Sequence, residues 1–326
     1  MSDLTSESAE RINLDQPRWP QDTFAGRFKH FWSITDWRNG LHTEKTLDDS
    51  KKLLHLYRLG QEPPGTTNEQ IWYAKKLYES AFHPDSGDKM NTIGRMSFQV
   101  PGGMVITGFM MQFYRTVPQV VFWQWINQSF NALVNYTNRN AKSDITNSQI
   151  TVAYVSATSG AMVVALGLNS LVKTAPPLLA RYVPFAAVAA ANCINIPLMR
   201  QREMFNGIAV YDEEGNEIGF SKKAAYKSIA QVCASRITMA APGMLIVPII
   251  MEKIEKFRWM QRIKPLHGPI QVLLCGFSLT FMVPAACSIF PQKCSLSVDS
   301  LEAELQDRVY TSYGSRINKV YFNKGL

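Results

Sequence analysis

Charged residues crowd the first 95 positions and the C-terminal tail, whereas positions 98–291 hold long uncharged runs separated by short basic segments. The hydrocarbon core of a bilayer is crossed by about 20 mainly apolar helical residues. Five stretches reach that length: 101–123, 150–172, 177–198, 228–251 and 269–290. The first is interrupted by Gln112 and Arg115 and closes on Trp123 and Trp125, a residue type of the interfacial aromatic belt. The pattern therefore predicts an all-α, polytopic membrane protein with about five transmembrane helices. An odd number of crossings places the two termini on opposite sides. Three regions are expected: a water-exposed N-terminal helical region over 1–98, a five-span membrane domain over 99–291, and a tail over 292–326.

The polar N-terminal region reads as short helices. Leu47, Leu54 and Tyr57 share helical spacing over 46–59, and Gly60 with Pro63 and Pro64 stops that helix. Thr67 followed by Gln70 is a capping box for the next helix, which ends before His83-Pro84-Asp85. That tripeptide also occurs in J-domain chaperones, but the 12 residues from Met90 to Pro101 leave no room for their long third helix. A turn capped by Asp85 is the expected physical role.

Inside the membrane region, Ser156–Gly160, Ala157–Ala161, Ala161–Ala165, Ala186–Ala190 and Ala187–Ala191 are small-xxx-small pairs. Such pairs bring helix backbones close in lipid, within a chain or between chains, so oligomeric state is left open. Prolines at 184, 197, 242, 248 and 284 invite kinks or breaks. Basic residues flank the spans in equal number on each side of the expected five-span topology, so charge does not orient the chain.

Averages conceal this organisation. A mean hydropathy of −0.11 with 46% hydrophobic residues would suit a soluble protein. The net charge of +8 comes from segments such as Lys253–Lys264 that border apolar runs. This favours contact with lipid head groups over nucleic acid, for which no motif is present. Five cysteines without C-x-x-C spacing and five scattered histidines predict neither a disulfide framework nor a metal site, and no cofactor is expected. The N-terminus carries Asp3, Glu7 and Glu10 and lacks the pattern of a signal or transit peptide, so any organelle address is expected to be internal.

The segment 183–203 is the most informative polar feature. An alanine-rich helix carries Asn192 and Asn195 on one face and Pro197 near its end. Proline has no N–H, so the carbonyl of Cys193 loses its helical partner and a helix break is expected at Pro197. Broken helices of this kind build substrate sites in transporters; the plain alternative is a helix end passing into a polar loop. Arg236 lies within the fourth span, where a charge costs about 2.5–3.5 kcal/mol and faces a partner or water. It can bind the carboxylate of an anionic or zwitterionic substrate. Alternatively it snorkels to head groups or holds helices together. Asn192 and Asn195 can bond an ammonium or hydroxyl group, or simply bridge helices at about 0.6 kcal/mol per contact. Asn127, Asn131 and Asn135 form a further row, read as an interfacial helix face. No nucleophile–base arrangement is spaced for catalysis, and the chain is not expected to be an enzyme.

Several of these stretches together resemble the sideroflexin family of mitochondrial inner-membrane proteins. The likeness runs through Pro17-Arg18-Trp19, Ser80-Ala81-Phe82-His83-Pro84-Asp85, Phe113-Tyr114-Arg115-Thr116 and the run from Phe122 to Asn131. It continues through 183–203, Ser300–Leu305 and the closing Val320–Leu326, and is greatest to the serine-transporting branch containing the family's first and third members. After the histidine motif the family usually has threonine then Gly-Glu-Lys, where this chain has Ser86-Gly87-Asp88-Lys89. The resemblance implies a multi-pass inner-membrane carrier that moves serine, with alanine, cysteine or glycine sharing the route, and so feeds mitochondrial one-carbon metabolism. It supplies no catalytic set. Under it, Arg236 would hold the carboxylate of serine, Asn192 and Asn195 its hydroxyl, and the freed Cys193 carbonyl its ammonium. The alternative, from another class, is a membrane scaffold or assembly factor whose N-terminal region recruits partners.

Overall fold

A computed structural model describes residues 11–84, 86–114, 116–138, 147–172, 182–313 and 317–325. In the N-terminal region, helix α1 (Phe24–Ile34) starts at Thr23, whose hydroxyl accepts from the Gly26 N–H. Helix α2 (Glu44–Leu59) stops at Gly60 in the left-handed conformation, and α3 (Asn68–Ala81) carries the predicted Thr67/Gln70 capping box. Leu47 of α2 packs with Leu77 and Ala81 of α3, and Leu54 and Tyr57 with Ile71 and Ala74, the stripe predicted from spacing. Beyond α3 the chain turns tightly: Ser86 N–H donates to His83 Nδ1 at 3.3 Å and Gly87 N–H to the His83 carbonyl. The expected Asp85 cap lies outside the described residues.

The membrane domain comprises α4 (Gln99–Gln112), α5 (Val117–Thr137), α6 (Asn147–Val172), α7 (Val183–Met199), the short α8 (Gln201–Asn206), α9 (Lys222–Ile254), the short α10 (Arg258–Arg262) and α11 (His267–Ser288). Among the described residues, stretches in α6, α9 and α11 have the length and hydropathy to cross a membrane, and α7 is a shorter apolar helix. The predicted span 101–123 is not one helix. Helix α4 ends at Gln112 and α5 starts at Val117, because Pro118 lacks the N–H needed in a helix interior and fits only in a first turn. Thr116 and Gln119 cap that new start, with Thr116 N–H donating to Gln119 Oε1 at 3.1 Å.

This break folds α4 and α5 into an antiparallel hairpin. Asn91 Nδ2 donates to Thr137 Oγ1 at 2.7 Å, and Asn138 Nδ2 donates to the Gly94 carbonyl at 2.9 Å, so the start of α4 meets the end of α5. The other pairs are also antiparallel: Gly160 of α6 faces Ile194 of α7, and Gly243 of α9 faces Ser278 of α11. The described segments next to both termini therefore lie at one end of the bundle, which corrects the opposite-side expectation. Lys89 and Arg95 then join Arg200, Lys222, Lys223, Lys227 and Lys293 at that end, and the even charge balance no longer holds. Helices α6 and α7 use the predicted small residues to pack, with Ala161, Ala165, Ala187 and Ala191 all fully buried.

Strands absent from the sequence reading cap the terminus-bearing end. β1 (Ile208–Tyr211), β2 (Glu217–Ser221), β3 (Lys293–Ser297) and β4 (Lys319–Asn323) form an antiparallel sheet in the order β2-β1-β4-β3. Helix α12 (Ala303–Tyr313) covers it through Leu305 and Val309, against Val210, Val320 and Phe322. The sheet joins segments about 100 residues apart, a pairing that no local pattern announces.

Helix α1 lies along α11. Arg27 Nε donates to the Ser288 carbonyl at 2.9 Å, and the Trp32 and Phe281 rings are 5.4 Å apart. Phe24, Phe28, Trp32, Phe281 and Phe277 form a continuous row of rings, and all but Phe28 are exposed. An exposed aromatic row continuous with the outer face of a span belongs at the lipid interface. A nitroxide on Phe24→Cys, in a chain lacking its native cysteines, is expected to meet oxygen more often than an aqueous nickel chelate. The exposed Glu69→Cys should show the reverse. Nickel-dominated collisions at position 24 would place α1 in water.

Candidate functional site

A cavity of about 90 Å³ lies among α4, α5, α7, α9 and α11. That volume accommodates several waters or one small solute. Its apolar wall includes Ile106, Phe130, Val188, Met239 and Leu279. Its polar wall is Gln99, Thr107, Asn127, Asn131, Asn192 and Arg236. Gly103 and Gly243 line it as well, and neither contributes a side chain to fill the space.

Helix geometry explains how these polar groups converge. Asn127 and Asn131 stand one turn apart on α5 and face inward together. Arg236 lies well inside the 33-residue α9, too deep in the bundle for its position to be an accident of a helix end. Among the described residues Arg236 makes no hydrogen bond or ion pair, and the one titratable side chain interacting with it electrostatically is the Cys287 thiol. The buried Gln99 Nε2 and Asn127 Nδ2 have no hydrogen-bond partner either. Unpaired donors in a low-dielectric space are costly unless something satisfies them. The arrangement thus presents one full positive charge and several amide groups, with no carboxylate among the cavity's lining residues. Chemically, it suits a small solute bearing a carboxylate.

The structure brings Arg236 and Asn192 together in this cavity. Asn195 is elsewhere: it is buried, and its Nδ2 donates to Gln128 Oε1 at 2.6 Å, bridging α7 to α5. Cys193 is exposed, because one residue beyond Asn192 is about 100° around the helix, and its neighbourhood is not the cavity. The expected break at Pro197 is also absent. Pro197 lies inside α7 and leaves the Cys193 carbonyl without its helical donor, yet the helix runs on to Met199 and Arg200 N–H still closes on the Ile196 carbonyl at 3.1 Å. The chain breaks instead at Arg200, before α8.

Asn127 and Asn131 are cavity residues, not an interfacial face. Their i, i+4 spacing on α5 put them on one face, as the three-residue spacing did for Asn192 and Asn195. Gln99 and Thr107 gave no distinct signal. A second polar seam adjoins the cavity: Gln124 Nε2 donates to Tyr114 Oη at 2.9 Å, and Gln128 lies one turn further along α5. Among the described residues no group of three or more His, Cys, Asp or Glu side chains could hold a metal ion.

An apolar helical bundle around a polar internal cavity defines a polytopic α-helical membrane protein. The chain belongs to the sideroflexins, whose family model matches residues 13–326. It is 61% identical over 315 residues to Sideroflexin-2 of Bos taurus, covering 97% of this chain and 98% of that relative. Sideroflexin-2 of Homo sapiens is 60% identical over the same shares. Sideroflexin-1 of Homo sapiens is 56% identical over 323 residues, covering 99% of this chain and all of the relative. No solved structure matches the chain.

Proposed function

We propose that this sideroflexin is a carrier for small neutral amino acids, serine foremost, in the mitochondrial inner membrane. Alanine, cysteine and glycine share the route in this reading, and the serine supplies one-carbon metabolism. The observation that carries it is Arg236, an arginine without a carboxylate partner among the described residues, lining a solute-sized cavity formed between five helices. A packing arginine would be expected to find its counter-ion within the bundle. One that faces a cavity leaves that place to a ligand. Serine as the favoured solute follows from the family resemblance.

Arg236 holds the substrate carboxylate, and the Asn127, Asn131 and Asn192 amides reach its hydroxyl and ammonium groups, since each amide offers both donors and an acceptor. Prolines at 242 and 248 within α9 and at 284 within α11 give two cavity-lining helices places to bend. Bending there would open the cavity to alternate ends. No reactive constellation accompanies these residues, so transport without chemical conversion is the proposed activity.

The test is uptake of labelled serine by purified protein in liposomes. Saturable uptake supports the carrier. Absence of uptake by correctly folded protein would put a scaffold, recruiting partners through the N-terminal region, in its place.

A further inference from the structure

Two adjacent glycines, Gly102 and Gly103, stand near the start of α4. Glycine is a poorer helix former than any residue except proline, so two in succession inside a helix call for a packing reason. Gly103 lines the cavity. Gly102 does not, and its open side is turned to α5. A Cβ there would lie 2.6 Å from Phe130 Cε2, 2.8 Å from Phe130 Cζ and 3.0 Å from Phe98 Cε1. The side chain that Gly102 lacks is therefore the notch into which the edge of the Phe130 ring fits.

Phe130 belongs to the cavity wall as well. It is the bulkiest apolar side chain there, and it is held in place. Gly102 backs one edge of the ring. The Phe98 ring stands beside it, with centroids 6.5 Å apart and planes inclined at 44°. Met239, another apolar wall residue, is unbranched and turns about three bonds, so it yields to the shape of a solute. A phenyl ring wedged between a helix backbone and a second ring does not yield, because close-packed interiors transmit strain instead of absorbing it.

The polar wall cannot set a size limit. Arg236 and the amides meet the carboxylate, ammonium and hydroxyl groups of serine in the carrier reading, and threonine offers the same three groups with one methyl more. Hydrogen bonds to groups that two solutes share do not tell them apart, whereas an apolar surface that cannot move does. In a cavity of about 90 Å³, the bulkiest fixed surface decides whether that methyl fits.

We propose that Phe130, seated in the notch of Gly102, sets the upper limit on the solute's side chain, admitting serine and excluding threonine. The inference rests on the carrier reading and deepens it by naming the residue that fixes substrate size. Phe130 bears on the solute directly. Gly102 acts through the ring and is a positioning residue.

The test measures uptake of labelled glycine, serine and threonine in proteoliposomes by the native chain, Phe130→Leu, Gly102→Ala and the double variant. The native chain should favour serine over threonine in kcat/KM by about tenfold or more, the low end for one methylene group. Phe130→Leu should remove most of that preference. Gly102→Ala displaces the ring and should lower serine uptake more than glycine uptake. Leucine lacks the Cε2 and Cζ atoms that the new methyl meets, so the double variant should recover serine uptake. Native uptake of threonine equal to serine, or an unchanged serine preference in folded Phe130→Leu, overturns the size limit and leaves the carrier standing. Equal losses for all three solutes with a lower melting temperature assign the ring to packing and also overturn it. If Phe130→Leu does not insert, Gly102→Ala decides: a greater loss of serine than of glycine upholds the limit, and an equal loss rejects it. If the native chain takes up no serine, the carrier reading fails and thermal shifts decide the size limit alone. Stabilisation of the native chain by serine and not threonine, with threonine stabilising Phe130→Leu, upholds it. Any other pattern, including no shift with either solute, rejects it.

Discussion

Arg236→Gln is expected to lower serine kcat/KM in proteoliposomes by at least about 30-fold, the lower bound for truncating one member of a desolvated charge pair, about 2–5 kcal/mol. The glutamine keeps hydrogen-bonding capacity and much of the length but removes the charge that meets the carboxylate. Arg236→Lys should recover part of the loss, since a point charge attracts a carboxylate without the two-pronged geometry of a guanidinium. Insertion and melting temperature should hold in Arg236→Gln, because no internal ion pair among the described residues is broken. Uptake surviving in the variant would keep the carrier and dismiss this cavity as its site. A variant that fails to insert would show that the arginine holds helices together.

The second large effect concerns packing. A Cβ on Gly108 would lie 2.8 Å from the Val272 Cα and 2.6 Å from its Cγ2, so α4 cannot stay seated on α11 with a larger residue there. Gly108→Val should destabilise the protein by about 1–3 kcal/mol or more, as overpacking of a tight interface does. Because both helices line the cavity, serine uptake should fall with stability. Gly167→Val, on α6, is the control: a Cβ there meets nothing within 4 Å, and its melting temperature should stay within about 2 °C of native, as for surface changes generally. Equal melting curves for the two variants would mean that α4 is free to move away from α11.

What the sequence disclosed follows the range of the forces involved. Caps and stops are local, so Thr67 with Gln70 and the glycine at 60 were legible from a few neighbouring residues. Apolar length was equally legible for α6, α9 and α11. The end of α4 at Gln112 and the new start at Val117 were not, because Arg115 and Gln112 read as interruptions of one span while the decisive residue, Pro118, lay inside its apolar stretch. The sheet escaped notice since β1 and β4 are short and separated by over a hundred residues. For the cavity, a lone charge in a span identified Arg236, and an amide in an alanine-rich helix identified Asn192. Spacing alone could not distinguish Asn192 from Asn195, because rotating one turn along α7 exchanges a cavity wall for the Gln128 contact.

The hairpin made by α4 and α5 also bears on how the chain reaches its membrane. Taken in chain order, α4 with α5, α6 with α7 and α9 with α11 are three successive antiparallel hairpins, although α4 packs chiefly on α11. Each pair can be delivered as a closed loop from a single compartment. The polar N-terminal helices and the sheet-bearing tail can then remain where they arrived, and only the short connectors between paired helices need to be exported. Biogenesis would thus proceed without threading a folded cap through the bilayer.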